Sequence, residues 1–194
     1  MPRKINIGVL GSTRGTDLQA VIDAIKAGEL PNIDLQIVIA NKSDAYILER
    51  AKSQGFSALF LDPKGKTREE YDAEILDVMK ENQVELILCL GYMKIITKTL
   101  IDQYRDRIWN IHPSLLPKYA GGMDLNVHEE VLKNHETESG CTLNVITEQV
   151  DAGKIIKKKK VLITAEETTE TLKKKVQKLE QAAIIEALKE YSNA

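Results

Sequence analysis

Residues 110–119 read Asn-Ile-His-Pro-Ser-Leu-Leu-Pro-Lys-Tyr. Asn110 and His112 lie two apart, so on an extended chain both side chains project to the same side. An amide donor beside an imidazole can hold an oxyanion and relay a proton. Trp109 and Ile111 flank the asparagine, which predicts a buried strand over 108–111, and Pro113 ends it. His112 then falls just beyond the carboxyl end of a strand, where open α/β sheets place their ligands. A lone histidine is more often structural; Asn110 and the stiffening residues Pro113 and Pro117 set this one apart. Asp151, in VDAGK, reads by itself as a turn residue. If the fold carries it to His112, it would orient the ring and raise the histidine pKa.

Two further stretches could bind ligands. In GSTRGTDLQA (11–20) a strand ends, small and hydroxyl residues follow, and a helix begins. Amide N–H groups at a helix start attract anions, and Gly15 would let a phosphate approach the backbone. The alternative is a bare turn capped by Thr16 or Asp17, and Asp17 itself would repel a phosphate. The order is neither G-x-G-x-x-G nor a Walker loop, so a dinucleotide or triphosphate is not indicated. In LCLGYMKII (88–96) a strand ends at Gly91 and bulky apolar residues follow. Met93, Ile95 and Ile96 could lie against a planar ligand, although on composition alone they read as a plug for the sheet edge. His128 and His135 have acidic neighbours but no third close ligand, so no metal site is expected. The run KKKK at 157–160 reads as a solvated edge that discourages sheet-to-sheet pairing.

The elements that must position these residues follow from periodicity. Strands are expected at Ile5–Leu10, Leu35–Ala40, Ala58–Leu61, Glu85–Leu90, Ile108–Ile111, Cys141–Ile146 and Ile155–Ile163. Helices are expected at Asp17–Ala27, Ala45–Gln54, Arg68–Glu81, Val127–Asn134 and Thr168–Tyr191. Strand–helix alternation in the first half implies a parallel sheet with right-handed crossovers. The last two strands, joined by TEQVDAG, pair locally and make the sheet mixed. The 194 residues suit a single α/β domain with a real core. A net charge of −2 gives no global field for nucleic acid or an anionic membrane. Cys89 and Cys141 sit in apolar runs and read as buried thiols of a reducing compartment. No stretch has the length of a signal peptide or a membrane span, so a cytoplasmic protein is expected.

NIHPSLLPKY, followed about thirty residues later by G-C-T-L-N-V-x-T-x-x-x-D-x-G-x-I, closely resembles the phosphoribosylglycinamide formyltransferase branch of the folate-dependent formyltransferases. The likeness runs end to end, through G-T-x-L-Q-A, the N-K-x-D-A-x-x-L-E-R-A segment at 41–51 and L-G-Y-M-K-I-I. It implies a three-layer formyltransferase fold, with a Rossmann-like, mostly parallel sheet and a mixed C-terminal part. One domain over 1–194 is expected, about 1–105 serving nucleotide and phosphate and about 106–194 catalysis and folate. The implied reaction moves a formyl group from 10-formyltetrahydrofolate to the glycinamide amine of 5′-phosphoribosylglycinamide, without metal, in a monomer or homodimer. By resemblance, Asn110, His112 and Asp151 are catalytic. Gly15, Thr16 and Asp17 hold the substrate phosphate, and Glu180, with Gln177 one turn before it, binds the ribose. Tyr92, Met93, Lys94, Ile95 and Ile96 form a folate loop, closed on the other side by Glu148, Val150 and Asp151, with Asn110 beside the folate. This reverses the plug reading of 88–96.

The chain departs from the branch at four places. Asp17 stands where asparagine is common, and Lys94 where arginine would offer a bidentate fork to the folate tail. Asn144 stands for an expected histidine, and AGGMDLNVH is longer than the usual segment. Two alternatives share the catalytic trio: formyl transfer to another sugar-nucleotide amine, and hydrolysis of the formyl folate. Hydrolases of that kind carry an extra N-terminal regulatory domain, which is not expected here.

Overall fold

The computed structural model describes residues 3–122 and 125–193. The expected segment AGGMDLNVH therefore lies partly outside the described residues, at Met123 and Asp124. Seven strands form one sheet in the order β3-β2-β1-β4-β5-β6-β7. They are β1 (Ile5–Gly11), β2 (Ile33–Ala40), β3 (Ala58–Phe60), β4 (Leu86–Cys89), β5 (Ile108–His112), β6 (Glu138–Val145) and β7 (Ile155–Leu162). β1 to β5 run parallel; β6 and β7 are antiparallel to their neighbours. The helices are α1 (Thr16–Lys26), α2 (Tyr46–Ser53), α3 (Arg68–Glu81), α4 (Lys98–Gln103), α5 (Leu125–Lys133) and α6 (Thr169–Ser192). No helix among the described residues is long and apolar enough to cross a membrane.

The central strands are apolar on both faces because helices cover both. One core packs β1, β2 and β4 side chains against Leu18 and Val21 of α1, Ile47 of α2, Val127 of α5, and Leu172, Val176 and Leu188 of α6. The other sets Leu10, Ile39, Ile87 and Ile108 against Tyr71, Ile75 and Met79 of α3 and Leu100 of α4. This is the expected three-layer α/β fold. Helix α3 occupies the predicted span because Thr67 and Glu70 close a reciprocal capping box before it. Helix α4 was not anticipated: six residues give too short a period to read, and only Leu100 and Ile101 of it are buried.

The lysine run lies on β7, an edge strand as expected, but its side chains are engaged. Lys157 Nζ meets Glu190 at 2.5 Å and Lys159 Nζ meets Glu186 at 2.7 Å, both glutamates on α6. Lys160 Nζ pairs with Glu138 at 2.7 Å, and Lys158 Nζ donates to the Leu116 carbonyl. The run thus holds the closing helix and the 113–117 turn to the sheet. Cys89 and Cys141 are free and buried.

Candidate active site

β1 and β4 lie side by side, but the chain leaves them in opposite directions, to β2 and to β5. Open α/β sheets bind ligands at such a divergence, beyond the carboxyl ends of the strands. Ser12 ties the two strand ends together. Its N–H donates to the Gly91 carbonyl at 3.1 Å, and its hydroxyl donates to Asn41 Oδ1 at 2.6 Å. The same hydroxyl accepts from the Met93 N–H at 2.8 Å. Over this junction opens a cavity of about 600 Å³, a size that suits a small-molecule ligand.

Asn110, His112 and Asp151 meet in its wall. His112 is the last residue of β5 rather than the first beyond it, and it faces the same way as Asn110, as strand alternation requires. Asp151 arrives from the β6–β7 connection in a left-handed conformation, φ 54°. His112 Nδ1 stands 3.3 Å from Asp151 Oδ2, with the imidazole 4% and the carboxylate 8% exposed. Asn110 Nδ2 reaches Asp151 Oδ1 at 3.5 Å, and the Gly121 N–H donates to Oδ2 at 2.7 Å. His112 Nε2 lies 3.0 Å from the Tyr119 carbonyl.

Both ring nitrogens of His112 thus face acceptors, and only an imidazolium donates to both. Burial opposes that charge. It lowers the His112 pKa more than Asp151 and the Tyr119 carbonyl raise it, so the net shift is downward. The sequence expectation of a raised pKa is corrected here: the partner acts in the expected direction, but desolvation outweighs it.

Gly153 holds the Asp151 loop in place. A Cβ there would stand 1.8 Å from the Val145 carbonyl oxygen, a backbone atom at the end of β6. Gly153→Ala should therefore push the loop off β6, at a cost of about 2 kcal/mol, which lowers the melting temperature by about 4–8 °C. Because the loop carries Asp151, activity in the folded fraction should fall as well. Unchanged melting and activity together would show that the loop yields without moving its carboxylate.

At the opposite end of the cavity lies the β1–α1 turn. Gly15 is the helix N-cap, with φ 69°, and neither Thr16 nor Asp17 caps the helix with its side chain. A Cβ at Gly15 would meet Ile47 Cγ1 at 2.5 Å. The glycine is thus required by its backbone angle and by α2, and it is not part of the cavity wall. Thr16 and Asp17 are in the wall, with Thr13 and Arg14. Gln177 Nε2 donates to Thr16 Oγ1, and Gln181 Nε2 to the Thr16 carbonyl at 3.5 Å, so α6 is latched to this turn. Glu180 is in the wall, and so are Lys173 and Lys174.

Asp17 Oδ1 is buried and has no hydrogen-bond partner among the described residues. Burial pushes the Asp17 carboxyl up to about 7 from 3.8, and Gln181 offsets part of that rise. A carboxyl raised in the folded state binds its proton there while the unfolded chain has lost it. Folding stability therefore falls as pH rises from about 4 to about 7 and stays reduced above. Asp17→Asn should raise stability at pH 8, by at most about 4 kcal/mol, and leave it nearly unchanged at pH 4. Urea melts at the two pH values read this directly. An equal gain at both would mean that the carboxyl is not protonated in the fold.

The expected folate loop lines the third side. Tyr92, Met93, Lys94, Ile95 and Ile96 are all in the wall, with Val150 facing them. Ile95 and Val150 are 50% and 51% exposed and both border the cavity, so a planar ligand could cover them. Lys94 Nζ lies 5.4 Å from the Tyr71 ring centroid. Asn144, 1% exposed, also faces the cavity, and its Oδ1 lacks a partner among the described residues. Glu148 is placed differently from expectation: it is exposed, outside the wall, and 3.2 Å from Lys98 Nζ. His128 is buried in the wall, whereas His135 is exposed beyond α5.

Motif and periodicity do not single out Thr13, Arg14, Lys173, Lys174, Tyr119 or Gly121. The lysines were findable, since they precede Gln177 on α6 at the three- and four-residue spacing that shares a helix face. The backbone groups of Tyr119 and Gly121 carry no side-chain signature.

Residues 5–188 match the family described as Formyl transferase. The chain belongs to the formyl transferase family. It is 40% identical over 175 residues to the phosphoribosylglycinamide formyltransferase of Haemophilus influenzae, a match covering 90% of this chain and 81% of that one. It is 34% identical over 189 residues to the human trifunctional purine biosynthetic protein adenosine-3, covering 96% of this chain and 18% of that much longer one. Among solved structures, it resembles glycinamide ribonucleotide transformylase 1 from Symbiobacterium toebii with a TM-score of 0.92 and 34% identity. That superposition covers 98% of this chain and 88% of that one.

Proposed function

We propose that this chain transfers a formyl group from 10-formyltetrahydrofolate to the glycinamide amine of 5′-phosphoribosylglycinamide, a step of purine biosynthesis. The observation that carries the reading is the convergence of Asn110, His112 and Asp151 at one wall of the cavity, with apolar side chains on one flank and the β1–α1 turn on the other. The fit to a formyl folate rests on this chain's own atoms. Met93, Ile95, Ile96 and Val150 offer an open apolar cleft, and Asn144 Oδ1 an unmet acceptor. When bound, the folate supplies the formyl group and, after transfer, a nitrogen that needs a proton.

The residues divide that work. Asn110 Nδ2 donates to the formyl oxygen as it gains negative charge, a task for a fixed dipole in a dry site. Asp151 holds the His112 ring by Nδ1 and stabilises its charged form against the burial that disfavours it. Burial still keeps the resting ring below its ordinary pKa, so His112 becomes charged only as it takes a proton during the reaction, with Asp151 offsetting part of the cost. Exchange of a proton through Nε2 needs that nitrogen to part from the Tyr119 carbonyl. At the other end Thr16 and Asp17 receive the phosphate, Gln177 and Glu180 the ribose, and Lys94 the folate tail. Glu148, paired with Lys98, acts from outside the cleft. We read the chain as one domain of two contributing halves, the first to about residue 105 supplying the phosphate turn and the second the trio. A single sheet running through both supports that division of labour within one body. The protein is taken to act in the cytoplasm, as a monomer or homodimer, on small molecules alone.

The test is to mix the protein with 10-formyltetrahydrofolate and follow release of tetrahydrofolate by absorbance. Release that depends on phosphoribosylglycinamide supports transfer. Release without it points to hydrolysis, and no release in either case refutes the proposal.

A further inference from the structure

The β1–α1 turn presents a carboxyl where the proposed substrate brings a phosphate. An ionised carboxylate there would repel it, at close range and away from bulk water. Yet Asp17 lies in the cavity wall among Thr13, Arg14 and Thr16, with one oxygen buried and unpartnered among the described residues. A carboxylic acid has what an ionised one lacks, an O–H to donate.

We propose that Asp17 receives the substrate phosphate through a shared proton, so that the complex holds one proton between carboxyl and phosphate, and that Asp17 thereby sets how acceptor affinity varies with pH. This rests on the reading of the β1–α1 turn, at Thr16 and Asp17, as the phosphate site. It goes beyond that reading in assigning the turn a proton as well as an anion.

The titration behaviour follows from two groups. Burial holds the Asp17 carboxyl near 7, and a phosphate monoester loses its second proton near pH ~6. Between these values an acid carboxyl meets a phosphate dianion, and binding moves no proton. Above about 7, free Asp17 is ionised and must take up a proton to bind, so affinity falls about tenfold per pH unit. Below about 6 the phosphate carries its own proton and one must leave, so affinity falls again.

Other charged groups share the cavity wall with Asp17. Arg14 shares its turn, and α6 presents Glu170, Lys173, Lys174 and Glu180 to the same cavity. Cys141 on β6 is pushed up to about 12, chiefly by burial and then by the Glu180 charge, with a smaller part from Asp17. Across the cavity stand His112 on β5, His128 on α5 and Asp151. The histidines are the side chains whose ordinary range overlaps the window of interest. The reference is therefore Asp17→Asn, which keeps the side-chain shape and leaves both histidines in place.

The experiment is calorimetric titration of the full chain with ribose 5-phosphate at pH 6.5, 7.5 and 8.5, in two buffers of different ionisation enthalpy. For the unsubstituted protein Kd should rise about eightfold to tenfold between pH 7.5 and 8.5, with close to one proton taken up at 8.5. For Asp17→Asn both Kd and proton count should stay flat over that interval. Equal pH dependence in the two proteins overturns the proposal, as does failure of ribose 5-phosphate to bind either. Formyl transfer to phosphoribosylglycinamide in the same preparation separates the two ideas. Transfer with pH-independent phosphate binding removes the shared proton and leaves the enzyme reading intact. Proton-linked phosphate binding without transfer does the reverse.

Discussion

Asp151→Asn should lower kcat by on the order of a thousandfold while the protein remains folded. The carboxylate has three neighbours to satisfy: His112 Nδ1 at 3.3 Å, the Gly121 N–H at 2.7 Å and the Asn110 amide at 3.5 Å. Asparagine keeps the size but not the charge. Its carbonyl, set in place of Oδ2, can still accept from Gly121 and His112, whereas its NH₂ then meets the Asn110 amide donor. The larger loss is electrostatic. Asp151 is the strongest influence raising the His112 pKa against a burial that already outweighs it, so its removal makes the charged ring still harder to reach and leaves the neutral imidazole free to choose the wrong tautomer. KM for the acceptor should change little, because the phosphate and ribose contacts lie at the other end of the cavity. Circular dichroism of the variant should match the parent. If kcat falls less than tenfold, Asp151 is a turn residue after all, and its left-handed backbone is the whole reason for its place.

Asn110→Ala should cost a factor of about 10²–10³ in kcat, near 3–4 kcal/mol, with KM close to unchanged. The amide sits on β5, paired in register with Asn144 of β6 and Cys89 of β4, so the strand fixes its position to within the sheet geometry. A donor so fixed pays no reorganisation when charge develops, and this is where its effect arises. Asn110→Asp provides the contrast. It places a second carboxylate beside Asp151 and should lose at least as much activity as alanine, since it replaces a donor with a like charge. If alanine instead raises KM and spares kcat, the amide binds the ground state of the folate rather than the developing charge.

Much of this was legible in the sequence. The strand–helix alternation of 5–90 gave the parallel part of the sheet, because fully buried strands and amphipathic helices leave different periods. The trio was legible as residue types, and the resemblance supplied the pairing of Asp151 with His112. Two kinds of information were not legible. One was balance: the sequence named the partner that raises the His112 pKa but could not weigh it against the ring's burial at 4% exposure. The other was reach. The expected roles of Gly15 and Glu148 assumed that both face the ligand, whereas Gly15 is filled against by Ile47 and Glu148 turns to Lys98. Side-chain direction at a turn depends on the packing of distant elements, which local patterns do not record. The same holds for Lys157–Lys160, where alternation along an edge strand was clear but the facing glutamates of α6, some thirty residues on, were not.

The central claim is that Asn110, His112 and Asp151 move a formyl group onto an amine. It is tested most directly by supplying 10-formyltetrahydrofolate labelled with ¹³C in the formyl group, together with phosphoribosylglycinamide, and locating the label by NMR. The account predicts a new formamide carbon bonded to the glycinamide nitrogen with the unsubstituted protein, and none above background with Asp151→Asn in the same time. Label recovered as free formate, or formamide formed equally fast by the variant, would contradict it.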